Sequence, residues 1–242
     1  VWRTGYKLVV TPESIVHERA IICVSWKWEG KDKVHNLKWN KDQCDKELLV
    51  NFIKVLNQAD EIIAHNGDRF DVKWIRARCI FHDLMIPPKW QSVDTLKYAR
   101  TSLFNSNKLD YLAKFLKVGG KIETGGYDLW KDIVLKDCRK SLTHMVKYCD
   151  NDVIILERVW KKLQKYVDPK THLAVLHGGE KWHCPKCGQD SLGFNCKRVT
   201  KAGTIRIQMT CHRCNAFHTI SNTDYGRFLQ DRIDQKIKDN SV

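Results

Sequence analysis

HCPKCG at residues 183–188 and TCHRCN at 210–215 set Cys184, Cys187, Cys211 and Cys214 as two C-x-x-C pairs with 23 residues between the inner two. Four thiolates on two tight turns can surround Zn²⁺ as a tetrahedron with Zn–S distances of ~2.3 Å, leaving no position for water, so the site they predict is structural. One such ion supplies the folding energy that a module of ~45 residues cannot draw from its own core. The other six of the ten cysteines are scattered through apolar segments without regular spacing, the pattern of reduced core residues. That pattern disfavours reading the four as two disulfides or as free thiols. His183, His212 and His218 stand near enough in sequence to compete as ligands, but four cysteines already satisfy the ion.

The knuckles lie either side of a strand, turn, strand pattern with a KAGT turn, and together they resemble a zinc ribbon. Pro169, Gly178 and Gly179 mark a linker ahead of them. The expected domains are therefore 1–177 and 178–242, which suits a chain of 242 residues with 43% hydrophobic content. Lys and Arg total 42 against 28 Asp and Glu, a formal charge of +14 that favours a polyanionic partner, most simply nucleic acid. No apolar run approaches the ~18 residues that span a bilayer, and no basic stretch followed by an apolar signal core opens the chain. A soluble cytoplasmic protein without a membrane partner is expected. The tail YGRFLQDRIDQKIKDNSV reads either as an amphipathic helix on DNA or as a solvated end, and the second is preferred.

Ahead of the linker, strands and helices alternate. AIICVSWKW and KVHNLKW, joined by EGKD, predict a hairpin. Residues 41–57 place Leu48, Leu49, Phe52, Ile53 and Leu56 at helical spacing, and EIIAHN follows as a short strand. FDVKWIRARCIFHDL predicts a helix stopped by Pro87 and Pro88, SVDTLKYA a strand, and NKLDYLAKFLKVGG a helix closed by its glycine pair. A loop, KIETGGYDLW, leads to a long helix from about Lys140 to Tyr166. This order predicts an α/β fold, a mixed sheet flanked by helices.

On the long helix, Cys149, Val153, Leu156, Trp160 and Leu163 form one apolar stripe. At 100° per residue Asp152 lies ~60° from the centre of that stripe and Tyr148 ~100° on the same side, while Asp150 falls on the opposite, solvated flank. A half-buried carboxylate at position 152 needs a cation, a hydrogen-bond donor or a metal, and from this helix alone a Lys or Arg partner is expected. A second acid, Asp71, opens the helix after the IIAHNG strand end, where α/β proteins gather site residues. Its alternative role, helix-dipole compensation, is already filled by Asp68 as the expected N-cap. Asn66 could equally be a turn residue.

Asn66-x-x-x-Phe70-Asp71 followed by Tyr148-Cys149-x-x-Asp152 resembles the second and third exonuclease motifs of the DnaQ-like, ribonuclease H-fold 3'-5' exonucleases. The likeness is to the proofreading domain of family B DNA polymerases and to related stand-alone phage and bacterial exonucleases, and it covers roughly residues 1 to 166. Tyrosine stands four residues before the last aspartate, and position 147 is lysine rather than histidine, so the tyrosine subtype is indicated and His144 is a bystander. The resemblance implies phosphodiester hydrolysis at single-stranded DNA 3' ends by two Mg²⁺ or Mn²⁺ ions ~3.5 to 4 Å apart. Hard divalent ions want oxygen ligands, which the zinc thiolates do not offer. It implies Asp71 and Asp152 as metal ligands, Tyr148 as the residue holding the attacking water, and Asn66 and Phe70 at the substrate. For Phe70, packing behind the strand is expected ahead of stacking on the terminal base. Replication or recombination proteins are the implied partners, and the host cytoplasm the implied location for a phage-encoded member.

The family carries Asp-x-Glu on its first strand, and no Asp-x-Glu occurs in the first 30 residues, where the acids are Glu13, Glu18 and Glu29. VWRTGYKLVV resembles the family's segment just after that strand, so the motif is expected upstream of Val1, the alternative being a degenerate nuclease fold that binds nucleic acid without cutting it. Either way, slow or absent cleavage by this chain is expected.

Overall fold

The computed structural model describes residue 15 and residues 18–87, 89–123, 125–168 and 170–240. VWRTGYKLVV, Pro88 and Pro169 lie outside the described residues. The chain divides into two compact units, Val1–Trp160 and Lys161–Val242.

The first unit is built around an antiparallel hairpin, β1 (Cys23–Lys27) and β2 (Val34–Lys38), with Val24 opposite Leu37 and Trp26 opposite His35. Alternation sends the two faces of β1 to two different cores. Val24, Trp26 and Leu37 pack with Leu48, Leu49, Phe52 and Leu56 of α1 (Lys46–Leu56) and with Ile75 and Cys79 of α2 (Asp71–Phe81). Cys23 packs on the other side with Ile133 of α5 (Tyr127–Lys136) and Met145 of α6 (Arg139–Leu163). Lys27 is ion-paired with Glu157 across this second layer. Asn36 donates to the Asp150 carboxylate at 3.1 and 3.3 Å, so the flank expected to be merely solvated is pinned to the hairpin.

Strand β3 (Ile62–Ala64) pairs in parallel with β4 (Ser92–Asp94), Ala64 facing Asp94. Among the described residues, parallel and antiparallel pairing thus occur in separate two-stranded sheets rather than in one continuous mixed sheet. SVDTLKYA is not a strand throughout: Asp94 accepts the Leu96 N–H at 3.1 Å and starts helix α3 (Thr95–Arg100). A side-chain acceptor placed just before a helical turn favours helix over continued extension. Helix α4 (Leu109–Phe115) follows as expected, but residues 127–136, expected in part as loop, form α5, which buries Leu129 and Ile133.

In the second unit, a short helix α7 (Leu173–Leu176) precedes an antiparallel sheet, β5 (Leu192–Val199), β6 (Ile205–Cys211) and β7 (Phe217–Ser221), in that order. The unit begins at Lys161, and within it the segment expected as linker is tied to the first knuckle. Lys186 Nζ donates to the carbonyls of Gln164 (2.6 Å) and Lys165 (3.2 Å), and the Leu173 N–H donates to the Pro185 carbonyl at 3.0 Å. The tail is not a loose end: Ser221 caps α8 (Asn222–Asp239), whose Phe228 joins Trp182, Ile207, Met209 and Ile220 in a core. No helix among the described residues is long and apolar enough to cross a membrane.

Candidate active site

The turn after β3 sets the first half of the site. Asn66 takes a left-handed backbone (φ 68°), tolerable for Asn, and donates its N–H to Asp94 Oδ1 at 2.8 Å. A Cβ at Gly67 would lie 2.4 Å from the Ala64 Cβ, so only glycine lets the chain double back here. His65 is held between Thr95 Oγ1 and the Asn107 carbonyl, both at 2.9 Å, and burial keeps its pKa low and the ring neutral. The result fixes the ends of β3 and β4 side by side and aims the following chain into α2.

Asp71 is the first residue of α2, and its Oδ2 would lie 3.8 Å from a Cβ at Gly67. The residue is exposed to solvent, yet its carboxyl is partly desolvated by the protein around it. That crowding, together with the Asp94 charge, raises its pKa. Asp68 does not cap α2. It accepts from Ser92 Oγ and pairs with Lys97 Nζ at 2.5 Å, while Phe70 occupies the N-cap position without a side-chain bond. Phe70 is 57% exposed and meets Trp74 edge-on, so it does not pack in the core as expected.

Tyr148 and Asp152 stand one turn apart on α6, and Lys121, from the KIETGG loop, joins them. Its Nζ lies 2.9 Å from Tyr148 Oη and 2.8 Å from Asp152 Oδ2. Burial disfavours the ammonium, but the bonds from Asp152 and Tyr148 outweigh it and raise the Lys121 pKa. Burial raises the Tyr148 pKa as well, and the Asp152 charge adds to that against the opposing lysine, so the phenol keeps its proton. The other carboxylate oxygen, Asp152 Oδ1, is buried without a hydrogen-bond partner among the described residues. Lys121 and Asp94 were not singled out in the sequence. Asp94 could have been found as an acid at a strand end, whereas Lys121 lies in a loop whose path the sequence does not specify.

Asp152 offers one engaged and one unpartnered oxygen, a fit for a single hard cation. Asp71 and Asp152 do not belong to a group of three potential ligands within 4.8 Å of one another among the described residues; the groups that do are Cys44, Asp45 and His82, and the four knuckle cysteines.

Those cysteines form a closed set. Cys184 Sγ lies 3.7 Å from Cys214 Sγ, and Cys187 Sγ 3.6 Å from Cys211 Sγ. Four sulfurs bound to one tetrahedral Zn²⁺ lie ~3.8 Å apart, so the cluster already has the required edge length. The two turns repeat each other. Cys184 and Cys211 each accept two backbone N–H bonds from within the turn, and Gly188 (φ 71°) and Asn215 (φ 55°) each turn left-handed to close it.

A family model described as the RNase H superfamily matches residues 16–164, more than half of the chain and a span that contains Asn66, Phe70, Asp71, Tyr148 and Asp152 but none of the four clustered cysteines. Neither the search of curated proteins nor that of solved structures found a significant match. Nucleases of this superfamily act on nucleic acid and generally use divalent metals, which suits the half-satisfied Asp152. On its matched span and its α/β architecture, this chain belongs to the RNase H superfamily.

Proposed function

We propose that the first unit is a 3'-5' exonuclease domain of the DnaQ-like tyrosine subtype, acting on single-stranded DNA ends, and that the second is a zinc ribbon. The observation that carries the first part is the Tyr148, Lys121 and Asp152 constellation with its buried, unpartnered Asp152 Oδ1. Asp71 and Asp152 are the carboxylates that would hold Mg²⁺ or Mn²⁺, which when bound supplies water activation and stabilisation of the leaving 3'-oxygen. Tyr148 Oη accepts from Lys121 and stands one turn from Asp152, where the phenol would hold an attacking water. Phe70, exposed beside Asp71, offers its face to the terminal base, and Asn66 lines the same strand end. The matching reading of the knuckles is one structural Zn²⁺ on Cys184, Cys187, Cys211 and Cys214.

The sequence carries no Asp-x-Glu in its first 30 residues, and Asp45-Lys46-Glu47 stands at the start of α1 with Asp45 bound to Arg78, so slow or absent cleavage is expected from this chain. The ion pair between Lys121 and Asp152 favours a second reading, a nucleic-acid-binding protein on a degenerate nuclease fold, because the lysine neutralises the acid without any metal. Digestion of a labelled single-stranded oligonucleotide with Mg²⁺ or Mn²⁺ separates the two. It is run on the chain, on the chain with any residues its gene encodes ahead of Val1, and on Asp152→Ala in each. Stepwise loss from the 3' end that Asp152→Ala abolishes supports the exonuclease; equal degradation by parent and variant overturns it.

A further inference from the structure

Residues 191–223 carry Lys197, Arg198, Lys201, Arg206 and Arg213 and not one Asp or Glu. They contain the whole sheet β5-β6-β7. Its centre strand alternates: Ile207, Met209 and Cys211 are buried, while Arg206, Gln208 and Thr210 face the other way. The buried face is closed by Trp182 and by Phe228 of α8. Among the described residues of this unit the outer face has no such cover, and its chemistry is polar and cationic.

The register arranges this face in two halves. At one end Arg198 lies directly opposite Arg206, both exposed. Like charges directly opposite on adjacent strands destabilise a sheet, and no carboxylate in these strands relieves them. At the other end Thr210 stands between Phe217 on β7 and Gly193 on β5. Phe217 is 50% exposed. A Cβ on Gly193 would come within 2.8 Å of His212 Nε2, so the glycine makes room for the His212 ring to lie across the same face. Between the halves Gln208 Oε1 accepts from Asn195 Nδ2 at 2.9 Å and from Arg198 at 3.4 Å, which leaves the Gln208 amide N–H groups as donors. Unrelieved cations and exposed rings on one face are what a single strand needs, phosphates for the first and base faces for the second.

We propose that this outer face binds single-stranded nucleic acid, with phosphates on Arg198 and Arg206 and bases stacked on Phe217 and His212. The choice of nucleic acid among polyanions rests on the nuclease reading of the first unit; the surface itself does not.

The test is fluorescence anisotropy of a labelled oligo(dT) titrated with the full zinc-loaded chain, without added Mg²⁺ or Mn²⁺, over a range of salt. Arg198→Ala/Arg206→Ala is expected to weaken binding about tenfold and to lower the salt slope by about 1.4, two phosphate contacts on a single strand. Phe217→Ala is expected to weaken it about five- to tenfold with the slope unchanged, the signature of lost stacking. Should the alanine pair lose its zinc, Arg198→Gln/Arg206→Gln carries the same expectation. No binding to oligo(dT), binding that ignores both variants, or an acidic peptide bound as tightly overturns the proposal. So does a duplex bound as tightly with Phe217→Ala silent. Failure of the nuclease reading shows elsewhere, as digestion that ignores Asp152→Ala, and leaves these titrations unchanged.

Discussion

Asp45 and Asp152 are both acids drawn in from solvent and both meet a cation, yet the first unit treats them oppositely. Asp45 is fully buried and saturated: Arg78 Nε and Nη2 reach its two oxygens at 2.8 and 2.7 Å, the Ile21 N–H donates at 2.8 Å, and His82 Nε2 lies 2.6 Å away. Burial alone would raise its pKa, but those bonds outweigh it and hold the carboxyl below its usual range. Asp152 is only partly buried, takes one lysine on one oxygen and has no partner for the other. A saturated buried charge joins elements, here the approach to β1, the start of α1 and the end of α2. A half-satisfied one leaves an oxygen without a partner among the described residues.

The largest effect should therefore follow from breaking the saturated cluster. Asp45→Ala strands the Arg78 guanidinium, 7% exposed, without its counter-charge. Removing one partner of a buried pair costs about 3–5 kcal/mol, so urea unfolding of Asp45→Ala should show that loss. A change below about 1 kcal/mol would mean that the cluster is no more structural than the Asp152 pair.

Acid separates the sites next. Asp45 has a lowered folded pKa, so its contribution is complete above its unfolded value near 4 and is lost as pH falls through the folded one. Asp71 has a raised folded pKa, so its charge costs stability above that value, and the cost is relieved as pH falls toward 4. Each proton taken up changes the slope by up to about 1.4 kcal/mol per pH unit. Below pH 4 the parent should lose stability more steeply than Asp45→Ala, and just above pH 4 Asp71→Asn should flatten the profile. Parallel curves for parent and Asp45→Ala would remove Asp45 from the account of acid unfolding.

The same contrast shows what was legible in sequence. Asp152 was, because helical spacing places it at the edge of an apolar stripe, and its expected cation partner exists as Lys121. Asp71 and Tyr148 were singled out by a strand-end position and by resemblance to the exonuclease motifs, and the four cysteines by local spacing. Asp45 was not, because its partners stand 24 to 37 residues away and nothing in KDQCDKE marks one acid for burial. Long-range partners also account for the remaining misses. Asp68 was given a local role as a cap, but β4 and α3 bring Ser92 and Lys97 to it instead. Helix α5 was missed because its apolar residues, Leu129 and Ile133, follow two glycines that read as loop.

The smallest effect is the most discriminating. Lys121 and Asp152 form a pair with side chains about a quarter to a third exposed, for which a coupling of about 0.5–1 kcal/mol is expected. The double-mutant cycle of Lys121→Met and Asp152→Asn, read by urea unfolding, should return that value, several-fold below the Arg78 and Asp45 cycle. Stability alone does not distinguish a weak ion pair from a cation site, so Mn²⁺ affinity is the second readout. Lys121→Met removes a positive charge from beside Asp152 and frees Oδ2 next to the already unpartnered Oδ1. If the acid is held in reserve for a cation, Mn²⁺ binding followed by electron paramagnetic resonance should tighten about two- to fivefold in Lys121→Met, and Asp152→Asn should cancel the gain. Unchanged or weaker Mn²⁺ binding in Lys121→Met would place Asp152 with Asp45, as an acid whose lysine is its whole purpose.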